Sequence, residues 1–172
     1  MWYMRDDGMR GMTKRERQIT DPVQIRRILD ESKILHLGLC VDNEPYVVPM
    51  NYGYILEEEK LTVYLHSAVR GKKLDMITAN PRVFFEMECN LLPFEGVKPC
   101  QYGVVYSSVM GKGTAALVED VEEKKKAMSI LMKTQTGKDF SFDDRLVSMV
   151  AVIRVEVSEY TAKHRPLPEK MR

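Results

Sequence analysis

The segment His-Ser-Ala-Val-Arg-Gly-Lys-Lys-Leu at residues 66–74 contains several side chains that can bind an anion. His66 and Ser67 end a predicted strand, whereas Lys72 and Lys73 begin a predicted helix directly after Gly71. Free backbone N–H groups, the positive end of a helix dipole, a hydroxyl group and two ammonium groups together favour a phosphate. In the alternative interpretation both lysines lie on a hydrated helix surface, and sequence spacing does not decide between the two.

The remaining histidines and the cysteines form no pattern that is typical of catalysis or metal binding. His36 alternates with leucines in a predicted strand and His164 lies in a charged segment, so the sequence predicts neither a catalytic triad nor a metal site. Cys40, Cys89 and Cys100 are widely spaced, which predicts reduced thiols in a cytoplasmic protein. The sequence also lacks the zinc-protease, P-loop and nucleophile-elbow motifs.

The composition narrows the class of protein. The chain has 172 residues, 44% of them hydrophobic, and 26 Lys and Arg against 25 Asp and Glu, which predicts one globular domain and no nucleic-acid partner. Its apolar runs are too short to span a membrane, and residues 1–18 lack the apolar stretch of a signal peptide. We predict an N-terminal arm at 1–18 that is mobile or embraces a partner, a domain at 19–163 and a tail at 164–172.

Hydrophobic periodicity predicts a mainly β (α+β) fold, with about six antiparallel strands that form a barrel flanked by helices. Pro49 indicates an edge or bulged strand, and Gly111 with Gly113 indicates a bulge. Predicted strands cover residues 35–40, 45–56, 61–67, 82–88, 104–118 and 148–157; predicted helices cover 22–32 and 71–79 and follow Asp120; turns or loops lie at 42–44, 57–60, 90–102 and 134–144.

Six segments, in their order along the chain, resemble the FMN-binding split-barrel proteins related to pyridoxamine 5′-phosphate oxidase. Within that superfamily the chain looks most similar to the nitroimidazole-resistance branch. The resemblance implies a six-stranded split barrel and a homodimer that binds FMN at its interface. It covers residues 15–163 and is carried by segments 45–52, 64–68, 71–73, 80–83, 106–113 and 118–124.

The resemblance also implies roles for individual residues. His66 and Ser67 would lie beside the ribityl-phosphate, Lys72 and Lys73 would hold the phosphate, and His66 would assist proton delivery. Some contacts would be made to the cofactor of the opposite subunit. The residues implied to line the isoalloxazine are Val48, Pro49, Met50 and Asn51, and those implied to add contacts from the later strand are Tyr106, Ser107, Val109 and Gly111.

The implied activity is that of an FMN-dependent oxidoreductase that reduces nitroaromatic, 5-nitroimidazole-like or related small-molecule electron acceptors, with NAD(P)H or another reductant as donor. The alternatives are a flavin-binding dimer without turnover and a haem-handling relative. The C-terminal residues 163–172 lack the arginine and histidine set that recognises pyridoxal phosphate in the true oxidases, which argues against a vitamin B6 substrate.

Overall fold

A computed structural model describes residues 12–168, which form an antiparallel sheet of eight strands with four α-helices. This confirms a mainly β fold flanked by helices, with more strands than the six expected. The strands are β1 (Gln18–Ile19), β2 (Leu35–Val41), β3 (Glu44–Met50), β4 (Tyr52–Glu57), β5 (Lys60–Ser67), β6 (Arg82–Phe94), β7 (Gly103–Val118) and β8 (Ala151–Arg165). The helices are α1 (Pro22–Glu31), α2 (Lys72–Ala79), α3 (Val121–Thr136) and α4 (Asp144–Ser148).

A single residue connects the two strands at the ends of the sheet, so the sheet must curve into a barrel. Its strand order is β3-β2-β6-β7-β8-β5-β4, so β3 and β4 lie at opposite ends of the sheet although only Asn51 separates them in the chain. The two ends of the sheet therefore meet at Asn51. The prediction of one strand over 45–56 was wrong, because β3 pairs with β2 whereas β4 pairs with β5. Pro49 does lie on a strand at the end of this order, as predicted.

Tight turns fix the register of the two hairpins that adjoin this junction. Asp42 and Asn43 link β2 to β3, and Glu58 and Glu59 link β4 to β5; all four have positive φ, from 44° to 71°. Two such residues in sequence match the right-handed twist of the flanking strands. The turns predicted at 42–44 and 57–60 are therefore confirmed.

Three long elements extend beyond the predicted boundaries. β6 continues through Phe94 after an irregularity between Cys89 and Leu92, so the predicted loop at 90–102 begins too early. β8 continues to Arg165, because its backbone pairs with β7 even where its hydrophobic alternation stops. α3 continues to Thr136, where Gly137 ends it in the left-handed conformation. The bulge predicted near Gly111 and Gly113 is confirmed, at Lys112–Gly113.

The hydrophobic core lies inside the barrel. Alternate residues of β2 and β6, such as Leu37 and Phe85, are fully buried, while their sequence neighbours face outward. α1 covers the core with Ile28 and Leu29. α3 packs directly on β4, because Gly53 has no side chain and a methyl group there would overlap the backbone of α3.

The structure describes parts of the predicted arm and of the predicted tail. The arm predicted at 1–18 lies mostly outside them, and its last residue, Gln18, already pairs with Lys163 of β8. The predicted tail begins within β8, which includes His164 and Arg165. Among helices within residues 12–168, none is long and apolar enough to cross a membrane.

The hydroxyl of Tyr52 gives a test of this packing. It is fully buried and donates to the Leu29 carbonyl at 2.7 Å, with the Ser32 carbonyl 3.2 Å away. Because unsatisfied buried groups are costly, Tyr52→Phe should lower the free energy of unfolding by about 1–3 kcal/mol in urea denaturation. The matched Tyr160→Phe removes a hydroxyl with no hydrogen-bond partner among residues 12–168, so it should change stability by less than about 0.5 kcal/mol. Equal losses in both variants would contradict this account.

Candidate functional site

The N-terminus of α2 differs from those of the other three helices in the described part of the chain. α1, α3 and α4 each begin after an aspartate whose carboxylate accepts a backbone N–H of the first turn. α2 begins after Gly71, and no side chain caps it. Gly71 has a φ of 144°, which a residue with a side chain rarely adopts. The first N–H groups of α2 are thus available to an external acceptor.

A buried hydroxyl and an ammonium group lie beside this helix start. Ser67, the last residue of β5, is only 8% exposed. Its Oγ donates to the Ala68 carbonyl at 2.9 Å and accepts from Lys73 Nζ at 3.2 Å. Lys73 belongs to the first turn of α2, so its positive charge adds to that of the helix dipole. The structure therefore brings Ser67 and Lys73, two of the predicted site residues, into contact.

The other predicted lysine, Lys72, points towards β3. Its Nζ lies 4.8 Å from the centroid of the Tyr46 ring, a cation–π contact. Tyr46 was not among the predicted site residues, although it lies in the segment that carries the family resemblance. Lys72 therefore extends from the start of α2 to β3.

His66 lies next to this cluster and lacks a partner for one nitrogen. Its Nδ1 is buried and has no hydrogen-bond partner among residues 12–168. Burial lowers the pKa of His66 below its ordinary value of 6.5, and the positive charge of Lys73 lowers it further. The imidazole is therefore predominantly neutral at pH 7, with one N–H and one free lone pair.

The predicted isoalloxazine-lining residues lie at the end of β3 and at the barrel junction. Met50 is buried and Val48 packs against the core, so both offer mainly backbone groups to a ligand. Pro49 is exposed and pairs with His36. The Asn51 amide donates to the Lys33 carbonyl and to Gln135 Oε1, both at 3.3 Å, and so ties the junction to the segment after α1 and to α3.

The predicted contacts from β7 lie far from this cluster within one chain. His66 pairs with Val152 at the start of β8, whereas Tyr106 pairs with Arg165 at the end of the same strand. The segment from Val152 to Arg165 would measure roughly 40 Å if straight. The cluster of His66, Ser67 and Lys73 and the Tyr106 end of β7 therefore lie beside opposite ends of β8.

The side chains at that end of β7 are mostly engaged inside the protein. Val109 is fully buried in the core, and Gly111 packs so closely on the Phe85 ring that it has no room for a side chain. Ser107 is buried and lies 2.9 Å from His164 Nδ1. Tyr106 lies under Lys163, whose Nζ is 5.5 Å from the ring centroid. Strand pairing creates the contacts with Lys163 and His164, so no local sequence pattern could have indicated them.

Comparison with known proteins identifies the family. A sequence profile of the pyridoxamine 5′-phosphate oxidase family matches residues 21–164, so the chain belongs to this flavin-binding family. Comparison with curated proteins gave no significant match.

Solved structures support the same fold. A proposed 5-nitroimidazole antibiotic resistance protein from Bacteroides thetaiotaomicron VPI-5482 is 32% identical, with 86% of each chain covered and a TM-score of 0.72. The flavocytochrome Anf3 from Azotobacter vinelandii is 17% identical over 95% of this chain and 76% of that one, with a TM-score of 0.74. An FAD and haem binding protein from Mycobacterium smegmatis is 12% identical over 89% and 76%, with a TM-score of 0.74. The split-barrel fold implied by the resemblance is confirmed.

The electrostatic coupling between Lys73 and His66 can be measured directly. Because the Lys73 charge lowers the pKa of His66, Lys73→Met should raise that pKa, while burial should still hold it below 6.5. A ¹H–¹⁵N NMR titration of the imidazole resonances reports the midpoint. Lys72→Met is the matched control and should leave the midpoint unchanged, because Lys72 stacks on Tyr46 instead. An unchanged or lowered midpoint in Lys73→Met would refute the coupling.

Proposed function

We propose that this protein binds FMN and is an FMN-dependent oxidoreductase that reduces nitroaromatic, 5-nitroimidazole-like or related small electron acceptors. The observation that carries the proposal is the uncapped N-terminus of α2, with Ser67 and Lys73 in contact beside it. The 32% identity to a proposed 5-nitroimidazole resistance protein supports the class of acceptor.

The groups at this site match the chemistry of a phosphate monoester. Ser67 would supply a hydroxyl, Lys73 an ammonium group and the first turn of α2 its backbone N–H groups. Lys72 is exposed and would add a second positive charge once it leaves the Tyr46 ring. Each charge-assisted hydrogen bond contributes about 1.5–3 kcal/mol, so the site would discriminate strongly in favour of a phosphorylated flavin. We propose that Val48, Pro49 and Met50 of β3 and the following junction residue Asn51 line the ring system.

The bound cofactor would supply electron transfer between a reductant such as NAD(P)H and the acceptor. This chain would contribute His66, whose buried Nδ1 has no partner among residues 12–168. As a neutral imidazole it would donate one hydrogen bond and accept another, which suits a group that holds a proton beside the acceptor. We also propose a cytoplasmic location, in keeping with the free thiols of Cys40, Cys89 and Cys100.

We further propose that two copies of the chain pair to complete the site. Tyr106, Ser107, Val109 and Gly111 would then contribute to the cofactor site of the second copy, since Tyr106 pairs with the end of β8 opposite to the residue that pairs with His66. The strands β3, β2, β6 and β7 also share an outward surface, here called the outward face, on which several apolar side chains are exposed. On it Val47, Phe84 and Met110 are 63%, 48% and 42% exposed. Exposed apolar patches of this kind are typical of interaction surfaces.

Two alternatives would give different optical spectra. A flavin-binding dimer without turnover would show two flavin absorption bands but no oxidation of NAD(P)H in the presence of a nitroaromatic acceptor. A haem-handling protein would show a Soret band; the names of two structural neighbours mention a cytochrome and haem, at 17% and 12% identity. The proposed oxidoreductase should show flavin bands, release FMN on heating and turn over. A colourless protein that does not bind added FMN would contradict the proposal.

The phosphate assignment predicts a loss of affinity that depends on the phosphate group. Lys73→Ala should weaken FMN binding by roughly tenfold to a hundredfold, because one charge-assisted contact is lost. Riboflavin, which lacks the phosphate, should bind wild type and variant alike. Quenching of flavin fluorescence in titrations with both ligands measures the two affinities.

Lys126→Ala is the control, since Lys126 is exposed on α3 away from the site and its loss should change neither affinity. An equal loss of FMN and riboflavin affinity in Lys73→Ala would indicate a general packing defect and contradict the phosphate assignment.

The proposed pairing of two chains can be tested on the outward face. Phe84→Glu should convert the dimer into a monomer in light scattering, because a carboxylate would be buried without a partner. Val23→Glu is the control: Val23 is 75% exposed on α1, away from that face, and should leave the dimer intact. A wild-type monomer that still binds FMN would contradict the proposed pairing.

A further inference from the structure

Three metal-ligating side chains meet on the outward face at the β2–β6 pair. His36 of β2 is paired with Glu86 of β6, and Glu88 follows on the same side of β6. His36 Nδ1 lies 3.3 Å from Glu86 Oε2 and 3.8 Å from Glu88 Oε2. One nitrogen or oxygen ligand atom from each of the three residues lies within 4.8 Å of those of the others.

We propose that His36, Glu86 and Glu88 form a binding site for a divalent transition-metal ion of the zinc type, which clamps β2 to β6. An imidazole nitrogen and two carboxylate oxygens are ligands that zinc accepts. Ligand atoms about 2.0–2.2 Å from a tetrahedral zinc are roughly 3.3–3.6 Å apart, close to the separations between His36 and the two glutamates. A water molecule would occupy the fourth coordination position of the ion.

The charge balance of the cluster favours a cation. Two glutamate side chains share this place with one imidazole, and a divalent ion would offset the negative charge of their ionised carboxylates. The three side chains are only 31–39% exposed, and Glu88 Oε2 is buried without a hydrogen-bond partner among residues 12–168.

An ion bound by this cluster would stabilise a short strand pairing. β2 and β6 pair over three residues only, from His36 to Gly38, whereas β2 and β3 pair along the whole of β2. Local sequence patterns do not indicate this site, because His36 and Glu86 are 50 residues apart and no ligand spacing links them. All three ligands come from one chain, so the site rests neither on the proposed cofactor nor on the proposed dimer.

Zinc itself is the probe for the experiment. Full-length protein without an affinity tag is freed of metal with a chelator and titrated with ZnCl₂ in a calorimeter. Wild type should bind one ion per chain and melt at a higher temperature when Zn²⁺ is present. His36→Gln and Glu88→Gln should each weaken binding at least about tenfold, the smallest loss typical of removing even an outer partner of a metal ligand.

His164→Gln is the matched control, because His164 lies on β8 beside Ser107 and not in this cluster. It should leave zinc affinity and the zinc-dependent melting shift unchanged. Far-UV circular dichroism checks that each variant is folded, and Glu88→Gln provides the test if His36→Gln does not fold. Zinc binding that survives in both ligand variants, or a wild type that binds no zinc, would overturn the proposal.

Discussion

The candidate site depends on the pairing of β5 with a neighbour on each side. Along β5, Leu65 pairs with Tyr52 of β4 and with Ile153 of β8, and Ser67 pairs with Ala151. Pairing on both sides up to Leu65, and with β8 alone beyond it, fixes the direction in which His66 and Ser67 leave the sheet. The position of α2 follows from this, because Lys73 donates to Ser67 and thereby attaches the first turn of the helix to the end of the strand. A rigid strand end and a helix start thus act as one unit.

Positive and negative side chains lie on different parts of the barrel, which explains why we propose an anion site and a cation site. Lys72 and Lys73 place two positive charges at the uncapped end of α2, and burial together with the Lys73 charge lowers the pKa of His66. The outward face instead carries the acidic side chains Glu86 and Glu88. An anionic ligand and a cation would therefore be attracted to different parts of the same barrel.

Much of this architecture follows from local patterns in the sequence. Asp21 caps α1 through its contact with the Val23 N–H, and leucines that alternate along β2 fill the barrel. The Ser67–Lys73 contact also joins residues that are close in sequence, so their types and order indicated an anion site. These features depend on residues that are close in the sequence, so helix-capping and strand-alternation patterns are enough to predict them.

The features that the sequence did not reveal depend on which strands pair. The hydrophobic pattern runs through 45–56 without a break, and only the partners of β3 and β4 show that the chain changes sheet ends at Asn51. The extension of β8 to Arg165 is fixed by β7, and the cluster around His36 is assembled by the β2–β6 register. Such long-range pairings leave no trace in local periodicity.

A crystal structure of the protein grown with FMN would test the central claim most directly. We predict that the phosphate is bound at the first turn of α2, within hydrogen-bond distance of Ser67 Oγ and Lys73 Nζ, with His66 beside the cofactor. Electron density for the phosphate elsewhere on the barrel, with Lys73 still bound to Ser67, would contradict the account.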